Sequence, residues 1–428
     1  MKLSLQRALK RSAQRAVEHP ARRGLPGRAA AGVPATVAPL RAPAGRSGVA
    51  AAPGLAEPPE GAPQERRRFA LPGKLPLISQ TYRPANFETP VEYFRTAITS
   101  NRAFFVRNHL TGIARTKAAD WSLSVGGEGA ARAAHFTLAQ LRRDFPLCEI
   151  TAVCQCAGNR RSLFQPRVPG LQWGVGAMGN ARWRGVRLRD VLAAAGLLPE
   201  ALEVAFGGAD HAVLEQTADY VKSLPLAVAL DENTLLAFEM NGQPLPRWNG
   251  YPVRLVVAGW SATYWVKQLV AIRVLNRAED GFWMNTAYRL PLGKFDTPRF
   301  ASQVGRDDEP VTTLLVNSLI TAPRSGQRCA RGRPIKVAGI AWDGGAGIAL
   351  VEVSADLGAT WRAARLGPDL GRFSFRVFTL ALRPGAPGSL VLMARAVNRA
   401  GAGQAEQLVF NPVGYHHNVI QRVYLEVL

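Results

Sequence analysis

From about Pro310 onward the chain breaks into short β-prone runs, Pro334–Trp342, Ala349–Ser354, Arg372–Val377 and Ser389–Asn398, separated by turns such as Asp343-Gly-Gly345. Regular short strands with Gly and Pro punctuation are the pattern of a β-sandwich of about 110 residues, immunoglobulin-like in size. Such a unit uses only part of the 428 residues. A larger folding unit must therefore precede it.

That preceding part mixes helix and strand signals. Thr137 is placed to cap a helix whose residues Leu138, Leu141 and Phe145 share a face, stopped by Pro146. Ile150, Ala152 and Cys154 alternate as in a strand, which runs into the loop Gln155–Arg161. A second helix is expected from Gly185, with Leu188, Val191 and Leu192 inward, and strand-like runs at Phe104–His109, Val253–Val257 and Tyr264–Ile272. The predicted fold class is α+β: a mixed α/β domain over 69–309, then an all-β immunoglobulin-like sandwich over 310–428. Residues 1–68 read as a disordered basic tail with too few large apolar side chains to offset ordering entropy.

A large share of the formal charge of +22 sits in that tail, where Glu18 is the only acid from Met1 to Ser47. The remainder is moderately basic, which suits a small anionic substrate or an acidic protein partner. No helix-turn-helix, zinc finger or aromatic RNP-like strand supports nucleic acid as a ligand. No apolar run reaches the roughly 18 residues of a membrane span. Met1–Arg23 offers a basic amphipathic helix and no secretory apolar core. The arginines Arg66–Arg68 are followed by Phe69-Ala-Leu-Pro-Gly-Lys74, which breaks the apolar region a twin-arginine signal needs. Four cysteines without a C-x-x-C pair exclude a disulfide scaffold, a zinc ribbon and c-type haem attachment.

The chemistry concentrates at Cys156. It stands at a strand end, followed by Ala157-Gly158-Asn159 and two arginines. Neighbouring Arg160 and Arg161 are expected to favour the thiolate, the form that attacks or binds metal, with a preference for soft or high-valent centres. The competing readings are a buried core cysteine, the reading retained for Cys148, Cys154 and Cys329, and a Cys–His nucleophile paired with His109.

Several segments then appear in a telling order: Phe105-Val-Arg-Asn-His109, Cys154-Gln-Cys-Ala-Gly-Asn-Arg-Arg161, Gly170-Leu-Gln-Trp173, Phe238-Glu-Met-Asn-Gly-Gln-Pro-Leu-Pro246, Gly250-Tyr-Pro-Val-Arg254 and Trp265-Val-Lys267. From about Leu71 to the C-terminus they resemble the sulfite oxidase family of molybdenum enzymes. Trp260–Lys267 and Phe282-Trp-Met-Asn-Thr-Ala-Tyr288 look most like bacterial periplasmic sulfite dehydrogenase catalytic subunits.

The resemblance implies a molybdenum–molybdopterin cofactor with Cys156 as the metal's thiolate ligand. Arg107, Arg161 and Arg422 would surround the open metal position and attract the anion. Tyr288 would hydrogen-bond near the transferred oxygen, and Trp173 would line the pocket. Phe105, Val106, Arg107, Asn108, His109, Asp210, Asn249, Arg254, Trp265, Val266 and Lys267 would hold the pterin and its phosphate. Eukaryotic members usually carry His where Asn249 stands. Trp183 is kept as a core residue.

The implied reaction is oxidation of sulfite to sulfate. No haem is expected in this chain, so electrons would pass to a separate c-type cytochrome. The sandwich resembles the family's dimerisation domain, which implies a homodimer, and Gly414-Tyr-His-His-Asn418 is placed at the border of the partner surface. The family implies a periplasmic location, with the cytoplasm as the alternative. Nitrate or sulfoxide reduction on the same cofactor is the nearest rival, and Arg422 tilts the choice toward sulfite. A cofactor-free immunoglobulin-like binding protein is the non-enzymatic rival.

Overall fold

Residues 67–295 and 299–428 are described by a computed structural model; almost all of the expected tail lies outside them. The strand carrying the cysteine loop, Leu147–Gln155, pairs antiparallel with Met178–Arg187, Cys154 opposite Gly179. Met178–Arg187 pairs in turn with Thr234–Met240, which also pairs with Arg254–Val257. At the end next to the cysteine loop, over Ala152–Cys154, this sheet is buried on both faces. Ala152 and Cys154 enter one core with Trp183, whereas Val153 joins Trp342 and Phe375 of the C-terminal half in another. Burial of both faces explains why the strand is apolar at successive positions.

The expected second helix begins later than predicted, at Leu188, and runs to Ala195 with Leu188, Val191, Leu192 and Ala195 buried. Gly185 is still in the strand, where an added Cβ would stand 1.9 Å from the Leu236 carbonyl oxygen. The glycine marks close strand approach, not a helix start. The first helix, Leu138–Asp144, has a reciprocal capping box between Thr137 and Gln140.

A second, five-stranded sheet runs in the order Val221–Pro225, Glu203–Gly208, Leu269–Leu275, Ser122–Gly126, Ala134–Thr137. The run predicted over Tyr264–Ile272 is split. Ala262–Tyr264 forms a 3-10 turn, Gln268 has a left-handed φ of 44°, and the strand starts at Leu269. Of Phe104–His109, only Val106–Arg107 is strand, pairing with Ala85–Glu88 in a small N-terminal sheet.

The C-terminal half is a two-sheet sandwich. Asn317–Ala322, Ile335–Trp342, Arg376–Leu382 and Arg365–Leu366 form one sheet; the other orders Arg328–Cys329, Gln421–Val427, Gly388–Asn398, Ile348–Ser354 and Arg362–Ala363. The run predicted over Arg372–Val377 is displaced to Arg376–Leu382. Its first residues instead dock on the preceding half, where the Phe373 carbonyl accepts from Val153 N at 2.9 Å. Trp342 Nε1 donates to Gln155 Oε1 at 2.7 Å across the same seam. Among the described residues no helix is long and apolar enough to cross a membrane.

Candidate active site

The loop after Gln155 is fixed by its own backbone. Cys156 N donates to Ala177 O, Asn159 N donates to Cys156 O, and Asn159 Oδ1 accepts from Ala177 N. Arg160 takes a left-handed φ of 69°, and the two arginines go separate ways. Arg160, 1% exposed, donates to Ser318 O at 2.6 Å and Val419 O at 3.2 Å in the sandwich. The expectation that it serves the thiol is therefore corrected: its guanidinium is committed to joining the two halves.

Arg161 turns back toward the cysteine. Its Nε donates to Val413 O at 3.0 Å, its Nη1 to Leu171 O at 3.2 Å, and its guanidinium lies 5.0 Å from the Tyr415 ring centre. A Cβ on Gly158 would stand 2.7 Å from Arg161 Nη1, so the guanidinium crosses close over this glycine and a larger residue would push it aside.

Cys156 borders two spaces whose walls share Arg107, Cys156 and Tyr288. The outer is a cavity of about 420 Å³ lined by Arg107, Cys156, Arg161, Leu171, Trp173, Tyr288, Val413 and Tyr415, among others. The inner recess is lined by Phe105, Arg107, His109, Cys154, Cys156, Asp210, Tyr220, Asn249, Arg254, Trp265, Lys267 and Tyr288, among others. The structure thus brings most of the residues named from the sequence around one sulfur atom.

Tyr288 is the hinge between the two spaces. Its φ is 62°, a rare conformation for a bulky side chain and one that marks a constrained site. Its hydroxyl meets Arg107 Nη2 at 3.5 Å and His109 Nε2. Burial pushes the phenol pKa up, against the pull of Arg107. His109 is held well below its ordinary value by burial, then by Arg107, Lys267 and Lys222, and stays neutral. Its ring stacks on Tyr220 with centroids 4.0 Å apart.

The recess is rich in cations. Arg254 donates to Asn249 O and Trp265 O at 3.0 Å each, and its buried Nε has no partner. Lys267 reaches Asn108 Oδ1, and burial pushes it down to about 7, with Asp210 opposing. Burial raises Asp210, with Lys267 opposing. Lys74 donates to Asn249 Oδ1 at 2.6 Å and is also lowered to about 7, by burial and then Lys267.

Val106 and Val266 line neither space. Val106 packs with Leu77, Ala85 and Phe87, and Val266 lies in the main core. Trp183 is a core residue whose Nε1 donates to Ala152 O.

Arg422 is not brought to the site. On Gln421–Val427, Val423, Leu425 and Val427 face inward, so Arg422 faces solvent with Glu426. Period-two alternation sends its side chain away from both spaces. Sequence reading also missed Tyr220, Lys222 and Tyr415. Tyr415 sits in the singled-out Gly414–Asn418 segment, but the structure delivers it to the cavity mouth, stacked on Tyr288.

These features suit a molybdenum–pterin group. A thiol supplies one soft donor, while Arg254, Lys267 and Arg107 offer positive charge for a phosphate. Asp210 and Asn249 offer polar partners to a heterocycle, and the buried Nε atom of Arg254 is a donor awaiting an acceptor. Among the described residues no cluster of three or more His, Cys, Asp or Glu is set to hold a metal ion.

Comparison with known proteins gives the same class. The chain matches the family Oxidoreductase molybdopterin binding domain over residues 109–283 and Mo-co oxidoreductase dimerisation domain over 308–427. It is 36% identical over 369 residues to mitochondrial sulfite oxidase of Homo sapiens, covering 82% of this chain and 66% of that protein. Against inducible nitrate reductase [NADH] 2 of Glycine max it is 30% identical over 384 residues, covering 82% and 41%. The crystal structure of the sulfane dehydrogenase SoxCD from Paracoccus pantotrophus superposes with a TM-score of 0.70 at 27% identity, covering 87% of this chain and 92% of that one.

Fold and site together define a molybdopterin-binding oxidoreductase. The chain belongs to the sulfite oxidase family, and it spans 66% of the length of the human enzyme it matches.

Proposed function

We propose that this protein oxidises sulfite to sulfate and passes the electrons singly to a separate c-type cytochrome, in the periplasm, as a homodimer joined through residues 310–428. The observation that carries the reading is Cys156 at the floor of a cavity walled by Arg107, Arg161, Trp173 and Tyr288. Cys156 Sγ would hold the molybdenum, and Arg254, Lys267, Asp210, Asn249 and the Phe105–His109 segment the pterin. The bound group supplies oxygen-atom transfer and storage of two electrons.

The chain's own residues supply the rest. Arg107 and Arg161 attract the anion, and Arg161 is a fixed charge because two of its nitrogens are spent on carbonyls. Trp173 Nε1 is a buried donor without a protein partner, available to an oxygen of the bound anion. Tyr288 keeps its phenolic proton between Arg107 and neutral His109, and so holds a proton beside the reacting oxygen. Trp173, Leu171 and Tyr415 restrict water at the mouth.

A second reading has specific support. With Arg422 outside the site, the tilt it gave toward sulfite and against nitrate is gone; sulfite now rests on the similarity to sulfite oxidases. The wall of the outer cavity also carries Leu171, Pro412 and Val413, and by analogy with the sulfane dehydrogenase that superposes on this chain the second reading is oxidation of a sulfane sulfur.

Stopped-flow mixing of the molybdenum-loaded protein with sulfite and cytochrome c tests the reading, with Cys156→Ser alongside. Sulfite-driven cytochrome reduction that vanishes in Cys156→Ser is the expected result. A metal-loaded protein that ignores sulfite but reduces nitrate, or a Cys156→Ser protein of full activity, overturns it.

A further inference from the structure

Lys222 is a buried cation that the reaction above does not use. It lies on the strand Val221–Pro225, is 2% exposed, and donates from Nζ to Trp283 O at 2.7 Å. The ammonium stands 4.5 Å from the Tyr264 ring centre and 5.4 Å from that of Tyr288. Among the described residues it has no carboxylate partner; burial, and then the nearby cation Arg289, push it down to about 7. A buried, uncompensated ammonium is costly. So is a left-handed backbone at an aromatic residue, which is the state of its neighbour Tyr288.

We propose that Lys222 is a positioning residue for Tyr288. Its ammonium holds the phenol ring by cation–π attraction, and its hydrogen bond to Trp283 fixes the turn that delivers Tyr288 to Arg107 and His109.

The surroundings fit that role. The turn Phe282–Asn285 leads directly into Tyr288, and the same strand grips it a second time where Ser223 N meets Met284 Sδ at 3.4 Å. Tyr415 stacks on Tyr288 from the other half of the fold. Lys222 is also one of the charges that keep His109 neutral, and neutral His109 is able to accept from the Tyr288 hydroxyl. An ammonium over a ring in a desolvated site is an attraction that a neutral side chain of equal length does not reproduce.

The inference rests on the reading of Tyr288 as the proton-holding group, so its test has two readouts. In the metal-loaded enzyme, kcat/KM for sulfite is measured for Lys222→Met and Lys222→Arg, and for Lys222→Met in a Tyr288→Leu background. The Tyr288 phenol is titrated by NMR of enzyme labelled with [ζ-13C]tyrosine, its signal assigned with Tyr288→Phe.

Lys222→Met is expected to lower kcat/KM by about three- to thirtyfold, the loss of one desolvated cation–π contact, and to raise the phenol's titration midpoint. Lys222→Arg recovers most of the rate. In the Tyr288→Leu background Lys222→Met has no further effect. An unmoved phenol midpoint, an equal loss in the Tyr288→Leu background, or an arginine as damaging as methionine overturns the proposal. Lys222→Gln replaces the methionine variant if that one does not fold. A phenol that moves in an enzyme inert to sulfite sinks the sulfite reading alone.

Discussion

The rings of Tyr288 and Tyr415 stack with centroids 5.7 Å apart and planes 17° from parallel. Tyr288 follows a turn of the catalytic half, whereas Tyr415 arrives on the segment that leads into the last strand of the sandwich. Asn411 secures that segment by donating to Tyr415 O and accepting from Tyr415 N. The second domain therefore supplies part of the wall around Cys156.

Removing that wall has a graded effect. Tyr415→Phe keeps the stacked ring and retains most of the activity. Tyr415→Ala frees Tyr288 on one face and lowers kcat/KM by about two- to tenfold, the worth of one aromatic pair. Steady-state kinetics of the two variants decide; equal losses exclude the stack as the cause.

Gly414 has a φ of +65°, and a Cβ there would stand 2.5 Å from Val168 Cγ2 and 2.8 Å from Arg161 Cγ. Gly414→Ala is expected to cost about 1–3 kcal/mol of stability through overpacking. It also raises KM by displacing Arg161. Thermal melting and sulfite kinetics measure the two effects separately.

Arg160→Met strips a buried guanidinium from Ser318 O and Val419 O. Leaving those carbonyls unsatisfied costs about 2–4 kcal/mol, read from urea denaturation. Because the guanidinium points away from the thiol, the loss in kcat/KM is smaller than that of Arg161→Met.

His416 Nε2 and His417 Nδ1 are buried without partners, and burial holds the two pKa values down to about 4 and about 3. The unfolded chain protonates these rings at about pH 6.5, the folded chain only below about 4. Stability from this source is full above about pH 6.5 and is lost as pH falls toward 4. Melting temperature against pH shows the decline, and His416→Gln makes it shallower.

Arg422→Ala leaves KM for sulfite unchanged, since the side chain faces solvent on its strand. A KM raised severalfold in this variant overturns that placement.

How far the sequence could be read depended on the range of the interactions. The capped helix at Thr137, the strand into the cysteine loop and the sandwich runs rest on neighbours a few residues apart, and their patterns were visible. Cys156, Arg107, Tyr288 and Trp173 came from ordered motifs, and the structure places all four on one cavity. Arg160 and Arg161 are adjacent and chemically identical. Only the left-handed turn at Arg160 and the carbonyls of Ser318, Val413 and Val419 separate their tasks, and no local pattern encodes it. Arg422 failed for a related reason: nearness to the C-terminus says nothing about which face of a strand a residue takes. Lys222 gave no signal, because a lysine between Val221 and Ser223 does not announce a buried ring beneath it.

The segment Asn411–Asn418 lends Pro412, Val413 and Tyr415 to the wall around Cys156. A pocket assembled from distant stretches of one chain ties the two halves to a common fate: loosening the sandwich's grip on this segment would unmake the site as well.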